Sequence, residues 1–209
     1  MKYPILNKLD IIYFETIFAS LSSFMKIVSD IYDSKSEMLS IPFSYELLTE
    51  AVNANQGTKK LNEINGYFIY SPKCAPLLTV LVHVGYGGGG NPNAICMSLN
   101  CQLLRIRSTT RNNVTWPIQE FCLEDRGSGK TTTKRFVRVM RDDPRWEFLE
   151  EGEPLPIENQ ENYKKRCKKD RLTSDDVINM AVACGVPFDN SKFYESADGL
   201  MYFWTTKST

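Results

Sequence analysis

Residues 94–104 have the sequence AICMSLNCQLL, in which the odd positions are apolar or cysteine and most even positions are small or polar. Because successive side chains of a β-strand point to opposite faces of its sheet, this alternation predicts a strand. The glycine run Gly85–Gly90 before it is then expected to form a bend between two strands. A helix that begins near Asn91, with its amide end open to a cleft, would instead favour a nucleotide site.

Other strands are predicted on both sides of this stretch. Residues 77–84 are almost continuously apolar, which is typical of a strand that is buried on both faces. The shorter candidate strands are Gly66–Tyr70, Trp116–Leu123, Arg135–Met140 and Trp146–Leu149. Turn-forming residues such as Asn, Gly, Pro and Asp separate these segments. Consecutive strands with short connections favour an antiparallel meander.

Helices are predicted towards both ends of the chain. Apolar residues recur at three- and four-residue steps from Phe14 to Ile31, and a second helix is predicted from Ser44 to about Asn55. In the last third, helices are predicted over Glu158–Lys169 and Thr173–Cys184. A hairpin that turns at Ala197–Gly199 is expected to follow them.

This segregation of helices from strands predicts an α+β fold in a single domain. The expected architecture is an N-terminal helical pair, a central antiparallel sheet of about five or six strands, and a C-terminal helix plus hairpin. Within the domain 1–209, residues 1–60 are expected to be helical, 64–150 mainly β, and 158–206 a helix and a hairpin.

Composition excludes several classes of protein. The chain has 209 residues, of which 42% are hydrophobic, so it is not disordered. Lys and Arg number 25, as do Asp and Glu, and this balance argues against a general polyanion binder. The six cysteines form no CxxC pair, and no export signal is visible, so free thiols and a cytoplasmic location are expected. Glu15, Lys26 and Asp30 would be costly in a membrane, so no membrane association is expected.

Catalytic and metal-binding chemistry lacks suitable residues. His83 is the only histidine and lies within an apolar strand candidate, which is typical of a structural residue. The scattered cysteines lack the spacing of a zinc site. Adjacent carboxylates, such as Asp142 and Asp143, project to different faces of any regular element. We therefore expect no catalytic residue, no metal and no cofactor.

Two glycine loops raise the possibility of a nucleotide ligand. Gly85, Gly87 and Gly90 satisfy GxGxxG, but the dinucleotide fold also requires a following helix and an acidic residue. Residues 127–131, GSGKT, resemble the end of a P-loop, but Glu124 stands where that motif has its first glycine. An alternative site is therefore a phosphate-binding loop at Gly85, Gly87 and Gly90 with Lys130.

Charge is distributed unevenly along the chain. Between residues 102 and 141 there are nine basic and three acidic residues, and an acidic run and then a basic run follow. These blocks either pair with one another or form a surface that recruits a charged partner. The candidate partner-binding residues are Arg105, Arg107, Lys130, Arg135, Arg138, Lys164, Lys165 and Lys168.

Together these features favour a non-catalytic cytoplasmic protein that masks or inhibits a partner macromolecule. Inhibitors, immunity proteins, antitoxins and phage-encoded blockers are of this type. The expected partner is another protein with a charged surface, and neither nucleic acid nor a membrane is expected. The alternative is a phosphate- or nucleotide-binding enzyme that uses Gly85–Gly90 and Lys130.

Overall fold

The computed structural model describes residues 11–32, 36–54, 66–84, 92–110, 117–127, 130–142 and 144–206. In these ranges nine strands form one antiparallel sheet. The strands are β1 (Ile11–Ile17), β2 (Ser36–Pro42), β3 (Gly66–Tyr70), β4 (Thr79–Val84), β5 (Gln102–Thr109), β6 (Ile118–Asp125), β7 (Thr132–Asp142), β8 (Arg145–Gly152) and β9 (Leu200–Thr206). Their order across the sheet is β2-β9-β3-β4-β1-β5-β6-β7-β8.

Five short helices accompany the sheet in the described ranges. They are α1 (Leu21–Tyr32), α2 (Tyr45–Ala54), α3 (Pro92–Leu99), α4 (Gln160–Tyr163) and α5 (Ser174–Ala183). Two 3₁₀ turns, Lys168–Asp170 and Ser191–Tyr194, lie in the last third of the chain.

The predicted α+β architecture is wrong. The molecule is mostly sheet, with nine strands where five or six were expected, and two of them lie where an N-terminal helical pair was predicted. β1 was predicted to be part of a helix because it is the middle strand of the sheet and carries apolar side chains on both faces. Such a run fits helical steps as readily as strand alternation.

Each face of the sheet has its own apolar core. Ile12 and Phe14 of β1 belong to one core and Ile17 to the other, as alternation requires. The first core, on what we term the α5 face, packs against α5 and the segment that follows it, where Phe188 meets Phe14 edge-on at 5.5 Å between ring centroids. The second core, on the α3 face, packs against α1 and α3.

The predicted strand over residues 94–104 is also wrong in its first half. Pro92–Leu99 form α3, with proline at the first helical position, which its fixed φ favours. Ile95 and Cys96 are buried against the sheet. Asn100, with φ +54°, ends the helix in a left-handed conformation, and β5 begins two residues later. The apolar residues of this stretch are therefore compatible with one face of a helix as well as with the alternation of a strand.

Other local predictions are confirmed. β3, β4, β6, β7 and β8 match predicted strands, and β5 to β8 form the expected meander. α2 begins after Ser44, whose Oγ accepts a hydrogen bond from Leu47 N at 3.2 Å. α5 begins after Thr173, which forms a capping box with Asp176.

Two predictions in the last third are wrong. The predicted helix over Glu158–Lys169 is reduced to the single turn of α4 and a 3₁₀ turn. The predicted C-terminal hairpin does not form, because β9 pairs with β2 and β3 instead of with residues just before it. Both errors arise from contacts between residues that are distant in sequence.

Candidate interaction face

A row of charged side chains crosses four strands on the α3 face. We call it the charged row, and its members are Glu15 of β1, Arg105 and Arg107 of β5, Glu120 and Glu124 of β6, and Arg138 of β7. The strand register places acids opposite arginines, because Glu15 lies opposite Arg105 and Glu120 lies opposite both Arg107 and Arg138. Opposite charges in such positions stabilise strand pairing.

The first part of the charged row is centred on Arg105. Its Nε donates a hydrogen bond to Glu15 Oε1 at 2.8 Å, and its Nη2 lies 3.9 Å from Glu124 Oε2. Glu15 is only 3% exposed. Burial alone would lower the pKa of Arg105, but the neighbouring Glu15 carboxylate outweighs it and raises that pKa. The guanidinium is thus permanently charged and already neutralised by its own chain.

The second part is centred on Glu120, which is 4% exposed. Its Oε1 lies 3.3 Å from Arg107 Nε, and its Oε2 lies 3.8 Å from Arg138 Nη1. The Arg107 guanidinium also lies 4.7 Å from the centroid of the Tyr13 ring, which stacks on His83 at 5.0 Å. His83 therefore takes part in an aromatic stack on the α3 face.

The charged row divides the α3 face into a covered part and a bare part. α1 and α3 pack over the region of β9, β3, β4 and β1, where Phe24 of α1 meets Trp204 of β9 edge-on at 5.9 Å. The bare part lies on β7 and β8, whose register places Phe136, Arg138 and Met140 opposite Glu151, Leu149 and Glu147. We call these six residues the open face.

The open face combines apolar and charged groups that solvent reaches. Leu149 is 44% exposed, Glu147 and Glu151 are exposed, and Phe136 and Met140 are half-buried. The Arg138 guanidinium lies 5.5 Å from the centroid of the Phe136 ring. Arginine, methionine and aromatic residues are enriched in protein–protein interfaces, so the composition suits docking.

The structure brings together three of the predicted partner-binding residues, Arg105, Arg107 and Arg138, on the α3 face. Arg135 lies on the α5 face instead and is 1% exposed, because alternation along β7 turns it away from Arg138. Its Nη2 lies 2.6 Å from Glu158 Oε2 and 2.8 Å from Glu150 Oε2.

The predicted lysines are exposed but dispersed. Lys164 pairs with Glu161 at 2.7 Å, and Lys165 Nζ donates to Asp170 O at 3.3 Å. Lys168 begins the 3₁₀ turn that contacts β7 and β8. This basic segment therefore lies beside the acidic strand β8, as expected if the two charge blocks partly pair with each other.

Lys130 lies apart from the amino end of α3. Its backbone N–H donates to Gly127 O at 3.2 Å. Gly127 in turn lies against Asn100, because a side-chain Cβ at position 127 would be 3.1 Å from Asn100 Oδ1. Lys130 is therefore near the carboxyl end of α3, about 12 Å along the helix from its first residue. Gly85, Gly87 and Gly90 of the alternative site lie outside the described residues.

Other site chemistry is limited in the described part of the chain. Among those residues, no three His, Cys, Asp or Glu side chains are grouped as a metal site would require, and no helix is long and apolar enough to cross a membrane. A pocket of about 60 Å³ lies between Glu158, Tyr163 and Arg171. It is far smaller than a nucleotide site, which needs roughly 300 Å³ or more.

Sequence reasoning missed the acids and apolar groups that complete this face. Glu15 was hidden in a segment predicted to be helical, and Met140 and Leu149 were treated only as strand residues. The useful signal was the even spacing of charges, two residues from Arg105 to Arg107 and four from Glu120 to Glu124, which places each pair on one strand face.

Comparisons with protein-family models, curated proteins and solved structures gave no match.

Proposed function

We propose that this chain is a non-catalytic binding protein that masks a charged protein partner with its open face. The observation that carries the proposal is a two-strand surface with exposed Leu149, half-buried Phe136 and Met140, and charges of both signs. Arg105 and Arg107 lie next to this surface on the same face of the sheet, where their pairs with Glu15 and Glu120 join β5 to β1 and to β6.

The charges of the open face suit recognition by electrostatic complementarity. Arg138 retains 28% of its side-chain exposure although it lies near Glu120, and Glu147 and Glu151 are exposed. Charged groups at the rim of an interface steer association and fix its register. Binding is therefore expected to weaken as ionic strength rises, because exposed charges are screened by salt.

A charge-reversal experiment tests the proposal. The tagged chain is used to capture partners from the cells that produce it, at about 0.05 M and about 0.5 M salt. The double variant Glu147→Lys/Glu151→Lys should lose the partner captured at low salt. Its matched control is Glu46→Lys/Glu50→Lys, which makes the same charge change on exposed positions of α2, and should retain that partner.

Two results would count against this function. One is the capture of no protein at low ionic strength by the folded chain. The other is equal capture by the open-face variant and its control. Urea unfolding of both variants verifies that each is folded, so that loss of binding is not loss of structure.

A second candidate function is the binding of a phosphate-bearing ligand at the amino end of α3. The specific observation in its favour is that Pro92–Leu99 are helical and follow β4 and the glycine run. The first N–H groups of a helix attract anions. Arg105 Nη2 also lies 3.3 Å from Asn93 Oδ1 in the first turn. Against it stands Glu15, a buried carboxylate bonded to the same guanidinium, which opposes a second anion.

Thermal shift with ATP, GTP, NAD and pyrophosphate distinguishes this candidate from the first. A phosphate site would raise the melting temperature by mass action. That rise should vanish in Asn93→Asp, which adds a negative charge to the first turn, and persist in Lys130→Ala, because Lys130 lies near the other end of α3. No rise with any of these ligands would remove the candidate.

A further inference from the structure

The last turn of α3 brings two cysteines together. Cys96 is fully buried within the helix, and Cys101 follows the helix and is partly exposed. Cys101 N donates to Cys96 O at 3.1 Å, and Asn100 N donates to Met97 O at 3.3 Å. With Asn100 at φ +54°, this is a Schellman motif, which places the side chains of its first and last residues in contact.

The two thiols also affect each other's ionisation. Interaction with the Cys96 thiol lowers the pKa of Cys101, although burial opposes the shift, and interaction with Cys101 together with burial raises the pKa of Cys96. Of the two thiols, Cys101 is therefore the one that ionises more readily, and the thiolate is the reactive form.

The remaining described cysteines differ from this pair. Burial raises the pKa of Cys74 and Cys184, and it raises the pKa of Cys122 to about 12. These thiols therefore stay protonated at neutral pH. Cys167 is exposed and serves as a reference for an accessible thiol.

We propose that Cys96 and Cys101 are a dithiol site that small hydroperoxides oxidise to a disulfide. The Cys101 thiolate attacks the terminal oxygen of the hydroperoxide, the O–O bond breaks, and an alkoxide or hydroxide leaves and takes a proton from solvent, which converts Cys101 to a sulfenic acid. The Cys96 sulfur then attacks the Cys101 sulfur, the S–O bond breaks, and water leaves with the Cys96 proton. The two thiols lose two electrons in total, and the hydroperoxide gains them.

The backbone of the last turn favours this bond. The hydrogen bond between the backbones of Cys96 and Cys101 already holds the two residues side by side, which a disulfide requires. Cys101 O also accepts from Arg126 N at 3.3 Å, so the site is joined to the end of β6. The inference does not depend on the proposed binding function.

Peptide mapping of the full chain after treatment with hydrogen peroxide tests the proposal. The wild type should yield a Cys96–Cys101 disulfide that dithiothreitol reverses. Cys96→Ser should instead accumulate a sulfenic acid on Cys101, which dimedone labels, and Cys101→Ser should leave Cys96 unmodified. Cys167→Ser is the control and should form the same disulfide as the wild type.

Two outcomes would overturn it. The first is the absence of both the disulfide in the wild type and the dimedone label in Cys96→Ser. The second is a label on Cys167 with none on Cys101, because ordinary exposure would then explain reactivity. Serine is close in size to cysteine, and urea unfolding of each variant verifies that it has folded.

Discussion

At the scale of single residues, Arg135 and Glu158 form a buried ion pair that joins β7 to the segment before α4. Arg135 is 1% exposed, and the Glu158 side chain is fully buried. Glu158 also accepts hydrogen bonds from Leu155 N at 2.8 Å and from the Tyr163 hydroxyl at 2.7 Å. Burial disfavours the charge on Arg135, but its hydrogen bonds to Glu158 and Glu150 outweigh this and raise its pKa.

Removing the Arg135 side chain should therefore strongly reduce the stability of the fold. In Arg135→Met the Glu158 carboxylate remains buried without its counter-ion, and we expect the free energy of unfolding to fall by about 3–5 kcal/mol. Urea unfolding at neutral pH measures this. The control Lys164→Met breaks the exposed pair with Glu161, whose two side chains are 72% and 77% exposed, and should cost less than about 1 kcal/mol. Equal losses in the two variants would show that burial does not set the cost.

At the scale of secondary-structure elements, α5 depends on its first residues. Thr173 Oγ1 accepts from Asp176 N at 3.2 Å, and Asp176 Oδ2 accepts from Thr173 N at 2.9 Å. The helix then buries Val177, Ile178 and Met180 against the sheet. The cap therefore fixes the start of an element that covers much of the α5 face.

We expect Thr173→Ala to lower the free energy of unfolding by about 1 kcal/mol, because Asp176 N loses its acceptor. Thr173→Ser keeps the hydroxyl and should lower the free energy of unfolding by less than Thr173→Ala does. Thermal or urea unfolding compares the three proteins. A loss in the serine variant as large as in the alanine variant would assign the effect to the threonine methyl group instead of the cap.

Sequence alone predicts the elements whose signals are local. A cap at Thr173 or Ser174, the Ser44 cap and the meander strands β6 to β8 were all visible in residue type and spacing. β1 and α3 were not, because both are apolar segments in which helical and strand spacings coincide. β2 and β9 were missed as a pair, since their hydrogen bonds join residues about 160 positions apart.

The candidate site was partly predictable for the same reason. Arg105, Arg107 and Arg138 were chosen from local charge, and the sheet register then brought them together. Glu15, the partner of Arg105, comes from a strand 90 residues earlier in the chain, so no local pattern connects the two residues. Arg135 was an equally basic candidate, but it lies on the opposite face of β7 from Arg138 and is buried in its pair with Glu158.

At the scale of the whole molecule, buried tyrosines make stability sensitive to alkaline pH. Burial raises the pKa of Tyr45 to about 12, and it raises the pKa of Tyr13, Tyr67, Tyr70 and Tyr163 as well. The unfolded chain releases these protons near pH 10, before the folded chain does. The free energy of unfolding is therefore fully retained below about pH 10 and falls as the pH rises through the folded values.

Urea unfolding midpoints should be nearly constant from about pH 7 to 9 and decrease from about pH 10 to 12. Tyr45→Phe should make that decrease shallower, because the variant lacks one phenol that must ionise. Tyr45 packs edge-on against Tyr194 at 5.7 Å, and phenylalanine retains that contact. An identical decrease in the variant would exclude a contribution from Tyr45.

The position of β9 between β2 and β3 constrains how the chain can fold during translation. β2 pairs with β9 and with no other described strand, and β9 is the last strand in the chain order. A ribosome that adds roughly 5–20 residues per second needs about 10–30 seconds to reach β9 after it has made β2. During that interval the backbone N–H and C=O groups of β2 have no strand to pair with. We therefore expect nascent chains to bind chaperones until β9 emerges.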